Sequence, residues 1–312
     1  MATARSANLK PKMKTIVLAA GYATRLGELT RNFPKPLLQI GNSTILGRLL
    51  DDLDTIPDID EHIIVTNGKF APIFEQWAAD RQAVADQDAP AEGATAISGE
   101  KGCRPGNRAT LGIVRGRGPF MGGVAKRRFG DNRPFRPISV LSDGTFTNET
   151  RLGAVCDLLF ALEELRIEDD LLVVAADNIL EFSFRGFVEY AKQKGTSCIM
   201  CHEQPSIEKL QRTGVIVVDE QWKVLNMEEK PSVPKSHWAV PPFYIYLKKD
   251  LDLIRTAVEN GCGRDAPGNL AHYLVDRTVI HAWPMPGTRF DIGSLDTYEE
   301  AKRRYGASSF AD

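Results

Sequence analysis

Residues 15–20 read TIVLAA and residues 170–177 read DLLVVAAD. Both runs are apolar on both of the faces a strand would present. A strand with one wet face alternates polar and apolar residues; these do not, so each must be covered on both sides. That demands a sheet enclosed between helices. The intervening segments supply the helices. Ile45, Leu49 and Leu53, with Leu46 and Leu50 beside them, make an apolar stripe over 44–54. After a strand HIIVT (62–66), Phe70, Ile73, Phe74 and Trp77 make a second stripe. ISVL (138–141) reads as a strand, and Leu152, Val155, Leu159 and Leu162 as a helix. Phe184, Phe187, Val188 and Ala191 form another helix, ended by Gly195. The rhythm predicts right-handed βαβ units. The expected fold is α/β, with a mostly parallel Rossmann-like sheet flanked by helices.

From about residue 196 the strands SCIMC, GVIVVD, WKVLNME and HWAVPPFYIYL follow one another closely. They predict a small, mixed, partly antiparallel extension. A helix at 249–259, a strand TVIHAW and a final helix capped by Ser294 close the chain. The expected organisation is a flexible extension at 1–12, with Met13 opening the compact part, and one domain over 13–312. Residues 80–137 interrupt that domain without any sustained period. Within them, 101–136 carries ten Lys and Arg against one acid, Asp131, a local charge of +9. RNA binding enters only through this segment. Three aromatics, Phe120, Phe129 and Phe135, are few for the stacking that such binding uses. A solvated insert is the expected state.

The whole 312-residue chain has a net charge of −2, which gives no bulk attraction to nucleic acid or membrane. No apolar run is long enough to span a bilayer. MATARSANLKPK is not followed by an export-type apolar stretch, and five cysteines fit a reducing cytoplasm. CIMCH (Cys198 to His202) matches a haem-attachment pattern, but a strand there would send Cys198 and Cys201 to opposite faces. Buried thiols are expected instead.

The segment LAAGYATRLGELTRNFPKPLLQIG carries the strongest functional signal. It is neither a P-loop nor a dinucleotide fingerprint. Gly21 and Ala23 let backbone approach an anion at the carboxyl end of a buried strand. Arg25 offers a forked donor and Lys35 a point charge, stiffened by Pro34 and Pro36. Asp177, at the end of a strand, and Asp291, before the last helix, sit where carboxylates could hold Mg²⁺ with a phosphate. The blander reading of Asp291 is a helix cap.

Together with ETRLGAVCDLLFAL, VVAADNI, RTGVIVVD, MEEKP, GRDAPGNL and RFDIGSLDTYEEA, this segment resembles the sugar-1-phosphate nucleotidyltransferases. Glucose-1-phosphate thymidylyltransferases and mannose-1-phosphate guanylyltransferases are members. The motifs occur in the family's order and span the chain except 1–12 and about 80–137. The resemblance implies that Leu18, Ala20 and Gly21 line a nucleotide. It implies that Arg25 holds the departing phosphates and Lys35 bridges the reacting ones. Asn148 would read the base and Gly153 admit it. Asp177 and Asp291 would hold Mg²⁺. Gly214, Glu229 and Lys230 would grip the sugar phosphate, Glu229 on a hydroxyl and Lys230 on the phosphate. The implied partners are an NTP and a sugar 1-phosphate, with no membrane. The base, the sugar and any homo-oligomer stay open. A non-catalytic nucleotide-sugar-binding relative is the alternative. The chain departs from the family at Ala23, where glycine is usual, at Glu28, near a usual proline, and at Ala176, where the family has Gly-Asp-Asn.

Overall fold

The computed structural model describes residues 12–87 and 135–306. In chain order these form β1 (Met13–Leu18), α1 (Glu28–Arg31), β2 (Gln39–Ile40), β3 (Ser43–Thr44), α2 (Ile45–Leu53), β4 (Ile59–Thr66) and α3 (Ala71–Gln87). Then come β5 (Ile138–Ser142), α4 (Ala154–Glu164), β6 (Asp170–Ala175), β7 (Asn178–Leu180), α5 (Arg185–Lys194) and β8 (Ser197–Glu203). They are followed by α6 (Ile207–Leu210), β9 (Gly214–Val218), β10 (Val224–Glu229), β11 (Trp238–Val240), β12 (Phe243–Tyr246) and α7 (Leu251–Arg255). α8 (Pro267–Val275), β13 (Ile280–Pro284), β14 (Arg289–Asp291) and α9 (Leu295–Tyr305) complete the chain.

Among the described residues, ten strands make one sheet in the order β10-β9-β11-β8-β12-β6-β1-β4-β5, with β13 joined to β8. β6, β1, β4 and β5 are mutually parallel. β12 adds antiparallel to β6, so the mixed strands continue the parallel half rather than forming a separate sheet. The two-face pattern of β1 is why it sits inside. Ile16 packs with Leu158 and Leu162 of α4 and Leu270 of α8 on one side. Val17 packs with Leu50 of α2, Phe74 of α3 and Phe187 of α5 on the other. Each such side chain contributes roughly 1.5–3 kcal/mol on burial. No helix of the described residues is long and apolar enough to cross a membrane.

The structure departs from the sequence reading in several places. α3 continues to Gln87, so the rhythm breaks later than residue 80. The extension at 1–11 and the basic stretch before residue 135 fall outside the described residues. Leu152 precedes α4 instead of packing in it and is 37% exposed. Pro241 and Pro242 split the fourth mixed strand into β11 and β12. The helix expected at 249–259 is only Leu251–Arg255. α8 was not expected, although Pro267 at its first turn is an ordinary start signal. Ser294 does cap α9, with its hydroxyl on Thr297 N and Thr297 reciprocating.

Asp54, at the end of α2, collects three buried contacts. Arg81 Nη2 of α3 donates to Asp54 Oδ2 at 2.9 Å, and Arg136 N donates to Oδ1 at 2.9 Å. His62 Nε2 lies 3.1 Å from the same Oδ1. Burial alone would raise the Asp54 carboxyl; His62, Arg81 and the Arg136 N–H outweigh it and hold the carboxyl below its usual range.

Candidate active site

Because β6, β1, β4 and β5 run parallel, their carboxyl ends share one edge, where open α/β sheets bind ligands. The loop after β1 is fixed there by Asn67, at the end of β4. Its Nδ2 donates to Ala20 O at 3.0 Å. Ala23 adopts the left-handed conformation (φ 48, ψ 39). Leu26 N and Thr30 Oγ1 both donate to its carbonyl, at 3.1 and 2.9 Å. An L-residue there costs roughly 1–2 kcal/mol, which explains why glycine suits this turn better.

Two adjoining cavities open along the edge. The larger, about 1030 Å³, is lined on one side by Leu18, Ala20, Gly21, Gly153 and Asp157. The smaller, about 280 Å³, is lined by Ala23, Thr24, Arg25, Lys35 and Gly293. Asp177 and Asp291 line both and form the partition between them. Leu18, Ala20, Gly21, Arg25, Lys35, Gly153, Asp177 and Asp291, far apart in the chain, therefore meet at one sheet edge.

The partition is built from short strands. β14 pairs antiparallel with β7, placing Asp291 opposite Asn178, and Ile292 N donates to Asp177 O at 3.1 Å. Asp177 lies just past β6, between it and β7. Its Oδ2 accepts from Lys35 Nζ at 2.7 Å and its Oδ1 from Asn178 Nδ2 at 2.8 Å. Asp291 is open to the cleft yet crowded from beneath. That desolvation, and then the Asp177 charge, raise its carboxyl; Lys35, Arg289 and Arg25 pull it back. Asp291 is thus not the cap of α9, a task Ser294 performs.

The two carboxylates offer hard oxygen donors in the open. Among the described residues no group of three or more His, Cys, Asp or Glu is arranged to hold an ion. Such a pair fits Mg²⁺, which takes one or two carboxylates and leaves its other positions to water and phosphate.

The remaining expected residues distribute unevenly. Asn148 does not line the cleft. It lies in an exposed turn where its carbonyl accepts from Arg151 Nη1 at 3.1 Å. Gly153 does line it, at φ +92, with Arg264 O only 2.6 Å from where a Cβ would stand. Glu229 faces Gly214 across the β10–β9 pair, and Lys230 N donates to Thr213 O at 3.0 Å. None of the three lines the cleft, although the neighbouring Thr213 and Pro267 do. Lys230 has a left-handed backbone (φ 51), a strain that accumulates at functional positions. A Cβ on Gly268 would overlap the Glu229 carboxylate, so a larger residue there would have to displace that side chain. Burial raises the Glu229 carboxyl, against the pull of Lys230.

Sequence reasoning missed four residues that line the cleft, Asn178, Arg289, His202 and Asp157, the last with Asp143 near it. Asp157 is 6% exposed, and burial plus the Asp143 carboxylate push it up to about 8. Asp143 is held by Thr145 N and Oγ1 at 2.7 and 2.9 Å. Burial and then Arg289 lower the His202 imidazole to about 4, leaving it neutral near pH 7. The CIMCH pattern is split by the sheet. Cys198 packs on one face and Cys201 on the other, and burial pushes both thiols up to about 12.

Comparison with known proteins agrees with this geometry. A nucleotidyl transferase family model matches residues 131–308, and a MobA-like NTP transferase domain matches 15–99. A glucose-1-phosphate adenylyltransferase of Fervidobacterium nodosum is 24% identical over 297 residues, covering 91% of this chain but 59% of that protein. The chain thus spans well under two thirds of that relative's length. The UTP–glucose-1-phosphate uridylyltransferase AglF of Haloferax volcanii is 20% identical over 301 residues, covering 94% of this chain and 96% of its own. A UDP-glucose pyrophosphorylase complexed with UDP-glucose shares the fold, with a TM-score of 0.66 and 18% identity. That match covers 94% of this chain and 98% of the other.

Proposed function

The chain belongs to the nucleotidyl transferase family, and on that premise we propose that it transfers a nucleotidyl group from an NTP to a sugar 1-phosphate, releasing pyrophosphate. The observation that carries this reading is the partition. Asp177 and Asp291 stand between a small chamber holding Arg25 and Lys35 and a large one lined by the β1 loop. A triphosphate bent over that partition has its tail in the small chamber and its nucleoside in the large one.

An oxygen of the sugar phosphate attacks the α-phosphorus in line. The bond from that phosphorus to the bridging oxygen breaks, and pyrophosphate leaves with the electron pair. No protein nucleophile is needed, so the chain's work is alignment and charge neutralisation. Arg25 and Lys35 neutralise the departing phosphates. Ala20 and Gly21 bring backbone against the nucleotide, and Gly153 opens room for the base. Gly214, Glu229 and Lys230 support the sugar-phosphate side. Asp177 and Asp291 would hold Mg²⁺, which when bound supplies Lewis-acid charge to the phosphates. Relatives named as an adenylyltransferase and a uridylyltransferase support the reaction class without choosing the base.

The test is a matrix of four NTPs against glucose 1-phosphate, mannose 1-phosphate and heptose phosphates, read as pyrophosphate release. At least one pair turns over under this reading. No release from any pair, in protein with an intact cooperative melting transition, overturns it.

A further inference from the structure

β14 is three residues long, and its register places Arg289 on the same face as Asp291, with Phe290 turned away. Phe290 packs instead against the cluster around Ile179 and Tyr298, with its ring 6.1 Å from that of Tyr305. Arg289 therefore projects into the large chamber. Its Nη1 donates to Asn178 Oδ1 at 2.7 Å. Asn178 is 3% exposed, and its other amide atom, Nδ2, donates to Asp177 Oδ1 at 2.8 Å. With Lys35 on Asp177 Oδ2 at 2.7 Å, three hydrogen bonds link Arg289, Asn178, Asp177 and Lys35.

This linkage fixes Arg289 without neutralising it. Asn178 occupies one of the five guanidinium N–H donors. Among the described residues no carboxylate lies within ion-pair distance of Arg289. A half-buried, anchored arginine with spare donors and no carboxylate partner is built for an anion that arrives from outside. The neighbouring His202 presents no competing charge, and its Nδ1 is buried without a hydrogen-bond partner. Among the described residues Arg25 likewise has no ion-pair partner, and it lines the other chamber. One forked cation thus stands on each side of the carboxylate partition. Transfer between two phosphates needs such a pair, one for the departing group and one for the incoming group.

We propose that Arg289, held by Asn178, binds the phosphate of the sugar 1-phosphate on the side of the Asp177–Asp291 partition opposite Arg25. This rests on the nucleotidyl-transfer reading above.

The test compares wild type, Arg289→Ala, Arg289→Lys and Arg25→Ala by calorimetric titration with UTP and UDP-glucose, or with whichever NTP and its NDP-glucose wild type binds best. Initial-rate kinetics run in parallel. Arg289→Ala is expected to weaken NDP-glucose binding and raise KM for the sugar phosphate by about 10- to 100-fold, as loss of a charge-assisted contact does. Its NTP affinity stays within about threefold, a margin set by the ordinary scatter of contact energies. Arg25→Ala shows the reverse pattern. Arg289→Lys keeps the charge, loses the fork to Asn178 and falls between. If Arg289→Ala or Arg289→Lys leaves both ligands untouched, or weakens both equally, the assignment fails. If wild type binds no NTP and no NDP-sugar, the nucleotidyl-transfer reading itself falls, and this assignment with it.

Discussion

Lys35 Nζ lies 2.7 Å from Asp177 Oδ2, across 142 positions of sequence. The lysine is 11% exposed and the carboxylate 36%. The pair keeps the two carboxylates of the partition from facing each other uncompensated. It also sets Lys35 within reach of any phosphate that approaches them.

Lys35→Ala is expected to lower kcat by about 10²- to 10³-fold, the usual loss for one charge-stabilising donor. It should also move the acid limb of the pH profile. Asp291 is already raised by desolvation and Asp177, and Lys35 is the largest of the influences lowering it. Without Lys35 the carboxyl rises further, so activity is lost at a higher pH than in wild type. An acid limb that stays in place contradicts this account.

Gly21 and Gly153 separate a ligand's demand for space from the fold's. Nothing of the protein lies within 4 Å of a Cβ added to Gly21, which lines the cleft. Gly21→Ala should keep the wild-type melting temperature while raising KM for the NTP several-fold. At Gly153 a Cβ meets Arg264 O at 2.6 Å with φ at +92. Gly153→Ala should cost about 2–4 kcal/mol of stability, from the strained backbone and the overlap together. Denaturant titration distinguishes the two; equal destabilisation would be the wrong result.

Asp157 makes stability depend on pH in a defined direction. Its folded value, about 8, lies above the ordinary carboxyl value. Folding therefore takes up a proton between about pH 4 and pH 8, and stability declines as pH rises through that window. Asp157→Asn cannot ionise and keeps a donor for Asp143. It should flatten the slope and add about 1–2 kcal/mol at pH 8. Unfolding curves at pH 5, 6, 7 and 8 that stay parallel to wild type would refute it.

Asp54→Ala removes a buried anion from between Arg81, His62 and Arg136 N. Arg81 keeps Asp51 Oδ1 at 2.8 Å, so the expected loss is about 1–3 kcal/mol, mainly from His62 and Arg136 N–H losing their buried acceptor. The wild-type carboxyl is held low, so its contribution is present above the ordinary carboxyl pKa and is lost as pH falls through the folded value. Wild type should therefore lose stability in acid more steeply than Asp54→Ala. Identical acid dependence of the two would exclude the clamp.

What the sequence exposed follows from local chemistry. β1, β4 and β6 were legible because both their faces are apolar, and Ser294 because a cap acts within one turn. Arg25, Lys35, Asp177 and Asp291 were legible as strand-end residues in an ordered set of motifs. Arg289 was not, since a three-residue strand has no period to read and its partner β7 is over a hundred residues earlier. Asp143 and Asp157 lie far apart in the sequence, and only the packed sheet edge buries Asp157 beside the Asp143 charge that helps raise its carboxyl. Asn148 was assigned through the family resemblance alone, and it is not among the residues that line the cleft.

The Asp54 clamp has a consequence for how this chain tolerates change in length. Arg81 precedes residues 88–134 and Arg136 follows them, yet both are tied to one carboxylate. Departure and return share a single knot, and β5 pairs with β4 immediately afterwards. The knot works as a splice point. A shorter linker or a foreign cargo joined between residues 87 and 135 inherits both anchors, and the strand ends that line the cleft keep their places.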